Sequence, residues 1–436
     1  MSFLIGVLVL VVGLAVSIAL HEVGHLVPAK RFGVKVTEYF VGFGPTLWSR
    51  RRGETEYGVK AVPLGGYIRM IGMYPPARQG ATTRRRRDGR PTLVEEAREF
   101  SLAEVGPGDE NRTFSSLSVP KKLVVMLGGP VMNLLIAVVL IAVVLVGFGV
   151  PAYTATLGSV QECLPADTAA ECTDADPDAP GALAGLRPGD TVVSWAGRPV
   201  ETWDDVRAAI ADAGTAPASV VVERDGTERT VTVTAALTER PVVVDGEVRT
   251  GADGEPLTEA QPFVGIAPTA ALVRQPLSAV PGRVAESVGA TFGVVLTLPQ
   301  RLVDIAQAAF GDEERDASVV GLVGVGRFAG EIASIEGDSY GTVERTADML
   351  GLLASLNLAL FVFNLLPLLP LDGGHVAGAL WEGLRRRVAA WRGRPDPGPV
   401  DVARLLPLTY VVLAVMVAMS LLLAYADIVR PVTLSG

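Results

Sequence analysis

Residues 1–25, MSFLIGVLVLVVGLAVSIALHEVGH, run for twenty residues without a charge and then set His21, Glu22 and His25 at the end of the apolar stretch. At 1.5 Å rise per residue, twenty residues reach about 30 Å, most of a hydrocarbon core, so residues 1–28 read as a first transmembrane helix. A cleaved signal peptide would need a basic leading segment and a small-residue cleavage site, and neither is present. Ionisable side chains inside a span are costly and mark function. His21 and His25 stand at i and i+4, on one helix face, where two imidazoles can take two corners of a zinc tetrahedron. Glu22 is turned off that face, in place to act as a general base on water. The plain alternative is a pair of histidines that satisfy each other or a backbone carbonyl.

Working outward, the 436 residues are 49% hydrophobic and 19% charged, with a mean hydropathy of +0.38, too apolar for an ordinary soluble enzyme. Three more charge-free runs follow, at 123–150, 349–371 and 405–426, which predicts a multi-pass α-helical membrane protein of about four transmembrane helices. The segment 27–122 holds 18 basic and 10 acidic residues, whereas 151–348 holds 13 and 31. By the positive-inside tendency the first is a cytoplasmic loop (29–122) and the second is extracytoplasmic. Arg385–Arg387, Arg392 and Arg394 place 376–404 inside as well, leaving both termini outside, the last as a tail over 427–436. A net charge of −9 argues against a nucleic-acid partner. The basic tract Arg84–Arg87 suits anionic lipid. The two cysteines, Cys163 and Cys172, are too few for a disulfide scaffold or a four-thiolate zinc site.

The outer segment reads as two parts. Residues 151–240 alternate apolar and polar residues with an Asp-Gly turn at Asp225 and Gly226 and a helix near Trp203–Ile210, a small α+β domain interrupted by a cysteine-bearing insertion at 161–179. The string Ala184-Gly-Leu-Arg-Pro-Gly-Asp190 resembles the turn and strand of PDZ domains, which implies capture of a chain end by strand addition. Residues 241–348 read as a linker and amphipathic helices near the membrane surface. In the inner loop, 36–70 carries two β-prone runs with Gly-rich ends, a membrane-associated hairpin whose edge suits an extended substrate.

A catalytic zinc site takes three protein ligands and leaves one position open. The remaining candidates end the third apolar run (span 349–375), where Asn364-Leu-Leu-Pro-Leu-Leu-Pro-Leu-Asp-Gly-Gly-His375 offers Asp372 or His375, and Pro367 and Pro370 break the helix. Chemistry alone leaves the choice between them open.

HEVGH in the first span, GGPVMN (128–133) in the second, NLLPLLPLDGGH in the third and a PDZ-like domain between spans two and three resemble the site-2 protease family of intramembrane zinc metalloproteases. The resemblance covers nearly the whole chain. It implies one Zn²⁺ held by His21, His25 and Asp372, with Glu22 as the catalytic base. It also implies that Asn364 helps place the substrate backbone or oxyanion and that Asn133 supports the site. The activity it implies is cleavage of single-pass membrane proteins, typically anti-sigma factors already trimmed outside by a site-1-type protease, within a bacterial cytoplasmic membrane. The single PDZ-like unit and the cysteine insertion depart from family members with two tandem PDZ domains. Two other classes compete: a metal transporter or channel, which lacks support because no repeat relates the halves, and an inactive PDZ adaptor, which the retained Glu22 disfavours.

Overall fold

The computed structural model describes residues 1–76, 91–164, 172–173, 176–241, 243–244, 247–250, 257–311, 319–335 and 340–433. The tract Arg84–Arg87 lies outside them. The chain divides into two compact units, Met1–Phe148 with Pro276–Gly436, and Gly149–Gln275.

The first unit opens with α1 (Ser2–Arg31), followed by β1 (Val36–Arg52) and β2 (Thr55–Met70). The two strands are antiparallel around Gly53 and Glu54, and Glu38, Tyr39, Phe40 and Val41 pair with residues on both 56–59 and 66–69, so the hairpin folds back across itself. After α2 (Leu93–Ala103), the chain enters α3 (Val119–Ala142), whose last turns widen to π geometry over Val143–Phe148. Pro120 sits in its first turn, where a missing N–H leaves no bond unmade.

The second unit holds β3 (Val150–Val160), the one-turn α4 (Pro180–Leu183), β4 (Thr191–Trp195), β5 (Arg198–Pro199), α5 (Trp203–Ala213), β6 (Ala218–Arg224), β7 (Thr227–Val233), β8 (Ala236–Pro241), β9 (Val243–Val244), β10 (Glu247–Val248), β11 (Thr258–Phe263) and β12 (Ile266–Val273). Its main sheet runs β12-β3-β4-β6-β7 with β5 on β4; β8 pairs with β11 and β9 with β10. Asp225 and Gly226 both take positive φ, 53° and 72°, the turn that an Asp-Gly pair favours between twisted strands. Thr202 and Asp205 form a capping box at the start of α5, and Val206 and Ala209 bury its inner face against Leu157, Trp195, Val220 and Val222. Asp190 is fully buried; it accepts from Arg224 Nε at 2.6 Å and Nη2 at 2.7 Å and from the Arg187 amide at 2.8 Å. Cys163 and Cys172 are joined by a disulfide. Strand β12, in the stretch read as linker, pairs along β3.

The first unit resumes with α6 (Val280–Phe310), α7 (Leu322–Ser334), α8 (Thr342–Asn364), α9 (Asp372–Trp391) and α10 (Leu406–Val429). Five helices are long and apolar enough to cross a membrane, where the sequence suggests about four: the additional one is Leu277–Phe310, which contains α6. Residues 376–404, expected as a loop, continue α9 to Trp391 because the arginines there interrupt the apolar run without interrupting the helix.

Three contacts set the packing around α1. Gly24 and Gly128 let α1 and α3 touch backbone to backbone, since a Cβ on either would strike the other's carbonyl. Asn357 of α8, fully buried, donates to Ser17 Oγ at 3.0 Å and to Leu353 O at 2.8 Å. A Cβ on Gly13 would meet Leu353; since 13 faces 353 and 17 faces 357, α8 runs parallel to α1.

Candidate metal centre

The helical repeat of α1 brings His21 and His25 together, and the proline break before α9 turns Asp372 toward them as the first residue of that helix. His21 Nε2 and His25 Nε2 lie 3.2 Å apart, and each is 3.3 Å from Asp372 Oδ2. Among the described residues this is the one group of three His, Cys, Asp or Glu side chains close enough to share an ion.

The donor set fits zinc. Bonds of about 2.0–2.2 Å at tetrahedral angles separate donor atoms by about 3.3–3.6 Å, close to the 3.2–3.3 Å found here. The tautomer of His25 also agrees. Val125 O lies 2.8 Å from His25 Nδ1 and takes the proton there, which leaves the Nε2 lone pair facing Asp372. Asp372 Oδ2 is buried and receives no hydrogen bond. The Nε2 lone pair of His25 and the Oδ2 of Asp372 therefore converge on one point beside His21 Nε2, an arrangement that a cation relieves. A Cβ on Gly129 would fall against both imidazoles, 2.7 Å from His21 Nε2 and closer still to His25 Nε2, so the absence of a side chain there keeps the space open.

Of the other residues named from the sequence, Glu22 is buried beside β2, where a Cβ on Gly66 would meet its Cγ at 3.0 Å. Tyr39 of β1 donates to Ala19 O at 2.7 Å, one turn before the motif. Burial, reinforced by the nearby Glu22 carboxylate, pushes that phenol up to about 12, so it stays a neutral donor. Asn133 Nδ2 lies 3.1 Å from His21 Nδ1, while its Oδ1 is buried without a partner. Asn364 closes α8, half-buried, its side chain without a hydrogen bond among the described residues. His375 stands one turn beyond Asp372 and outside the donor group.

The model of peptidase family M50 matches residues 9–394. The chain is 36% identical over 445 residues to zinc metalloprotease Rip1 of Mycobacterium tuberculosis, covering 100% of both chains, and 33% identical over 450 residues to Rip1 of Mycolicibacterium smegmatis, again covering 100% of both. It is 27% identical over 400 residues, 88% of each chain, to metalloprotease MmpA of Caulobacter vibrioides. The chain belongs to peptidase family M50. It is a site-2-type membrane zinc metalloprotease, with zinc as its cofactor.

Two features of this M50 site have no motif to announce them. The Ser17–Asn357 contact fixes α8 one turn from His21, its only cue being a lone asparagine within an apolar run. On the far side, Lys122 of α3 and Glu382 of α9 form a buried ion pair at 2.9 Å, joined by Arg386 at 3.0 Å and the Val400 amide at 3.1 Å.

Proposed function

We propose that the protein is an intramembrane endopeptidase that cuts single-pass membrane proteins, anti-sigma factors among them, within or near their spans after an upstream protease has trimmed them outside. The observation that carries this reading is the 3.2–3.3 Å triangle of His21, His25 and Asp372, with Glu22 buried beside it.

In this reading the three side chains hold the ion. When bound, zinc supplies Lewis acidity and brings the pKa of water down to about 7. Glu22 accepts the proton of the attacking water and delivers it to the leaving amine, which balances hydrolysis of the peptide bond. A substrate helix shields its carbonyls in its own hydrogen bonds, so the scissile stretch must unwind first. The folded-back hairpin supplies replacements: β2 passes Glu22 at Gly66, and strand addition there would hold an extended substrate beside the base. Asn364 steadies the substrate backbone or oxyanion. Asn133 has a supporting part in substrate binding, its amide set against the His21 imidazole. The unit Gly149–Gln275 screens substrates as a PDZ-like domain, by binding a new chain end or by excluding bulky ectodomains.

Helix direction supports a four-span topology with both termini extracytoplasmic. Because α8 runs parallel to α1, and α3 runs antiparallel to it, the segment between α3 and α8 must return to the face that α3 reached. A single crossing by α6 would reverse α8, so α6 stays on the outer side despite its length.

The test is co-expression of the full chain with a single-pass anti-sigma factor cut back on its outer side. Wild type releases the inner fragment, and Glu22→Ala leaves the substrate intact while keeping its zinc. Fragment release by Glu22→Ala at the wild-type rate would sink the assignment.

A further inference from the structure

Helix α9 begins at Asp372 and ends at Trp391, and its two sides are unlike. At 100° per residue, Ala379 and Glu382 are buried on the inner side, where Glu382 is anchored to Lys122. On the outer side Leu380, Trp381, Leu384, Val388 and Trp391 fall within a stripe about 100° wide. All five are exposed, Trp391 by 85%. A groove of about 220 Å³ beside Trp381, lined also by Leu368, Leu405 and Leu408, continues the apolar surface onto the start of α10.

The stripe has basic edges. Arg387 follows on one side and Arg392 on the other, with Arg394 just past the end of the helix; all three are exposed, and among the described residues no carboxylate pairs with them. The helix is too charged to cross a bilayer, yet it is tied at both ends to apolar helices: seven residues separate it from α8 and fourteen from α10. Asp372 lies at the level of Gly129, Glu382 meets Lys122 and a Cβ on Gly383 would meet Val119, so α9 runs antiparallel beside the first turns of α3 toward its basic end. An apolar outer face with tryptophans and bordering arginines there is the pattern of a helix passing from acyl chains into headgroups.

We propose that α9 descends beside α3 into the cytoplasmic headgroup layer and binds anionic phospholipid there, its stripe against the acyl chains and Arg387, Arg392 and Arg394 on the phosphate headgroups. Neutral lipid would fill the stripe equally well; the three unpaired guanidinium groups select the negatively charged headgroup, and their planar forks suit its phosphate oxygens.

Brominated lipids test this directly, because bromine quenches only tryptophans it approaches. The full-length protein is reconstituted in an equal mixture of phosphatidylglycerol and phosphatidylcholine, with one or the other brominated, and the contribution of Trp391 is taken as wild type minus Trp391→Phe. Brominated phosphatidylglycerol should quench Trp391 about twofold more than brominated phosphatidylcholine. The preference should vanish in the combined variant Arg387→Gln, Arg392→Gln, Arg394→Gln and persist when the three become lysine. Equal quenching by the two lipids in wild type overturns the proposal, and that comparison needs no variant of the arginines. Absence of quenching by either lipid overturns it in favour of a protein partner on the stripe. A preference erased by inorganic phosphate at constant ionic strength overturns the lipid as ligand, leaving a site for small anions.

Discussion

The side-chain amide of Asn133 lies 3.1 Å from Nδ1 of His21, on the side of the ring away from Asp372. A half-turn of that amide places its partnerless oxygen where it accepts the Nδ1–H, the proton that must be there if Nε2 is to bind a cation. Asn133→Leu removes the acceptor and should weaken zinc binding about 10- to 100-fold. Asn133→Asp, which still accepts, should recover most of it. Titration with a competing chelator in detergent measures both, and unchanged affinity in Asn133→Leu would show that the amide does not hold the ring.

Asp372→Ala should purify without zinc, because two imidazoles alone leave the ion without its anionic ligand. His375→Ala should retain most of its zinc, since His375 stands outside the converging group. Metal analysis of the purified proteins decides between them. The reverse pattern would make His375 the third ligand.

Gly129→Ala puts a methyl group into the space between the two imidazoles. Alanine is the better helix former by about 1 kcal/mol, so the helix itself should not suffer. The expected result is loss of zinc with helical content by circular dichroism unchanged. Retained zinc would mean that α3 moves away at small cost.

Burial by itself would raise the Asp190 carboxyl, but the hydrogen bonds from Arg224 and the Arg187 amide outweigh it and hold the group below the usual carboxylate range. The folded form thus binds a proton less readily than the unfolded form, whose value is about 3.9. The contribution of Asp190 is therefore complete above that pH and lost as the pH falls through the lower, folded value. Asp190→Ala removes one partner of a buried pair and should cost about 3 kcal/mol at neutral pH. Protease susceptibility of Gly149–Gln275 within the full-length protein reads the loss, and the variant should approach wild type only in strong acid.

Local features of the chain were open to reading. The i, i+4 spacing of His21 and His25, the proline break before Asp372 and the turn at Asp225 and Gly226 each act through bonds made nearby. What stayed hidden depends on residues far apart. Nothing near Asn357 names Ser17, 340 positions away, and nothing near Glu382 names Lys122, 260 positions away. Helix α9 was obscured because its outer face is apolar for lipid and its inner face carries a charge, so neither a span nor an ordinary amphipathic pattern stands out. Strand β12 is obscure for another reason: Pro268 and its alanines blur the alternation that marks β6 and β7.

The anchor between Lys122 and Glu382 has a bearing on evolution. Ten residues separate Asp372 from Glu382 along one rigid helix, so the anchor sets the direction in which Asp372 points. Each residue inserted between them would swing the carboxylate by 100° and carry it 1.5 Å along the axis, away from both imidazoles. Point substitutions on the outer face of α9 leave that phase untouched, whereas an insertion or deletion inside it would turn Asp372 away from His21 and His25. This stretch can change in composition but not in length.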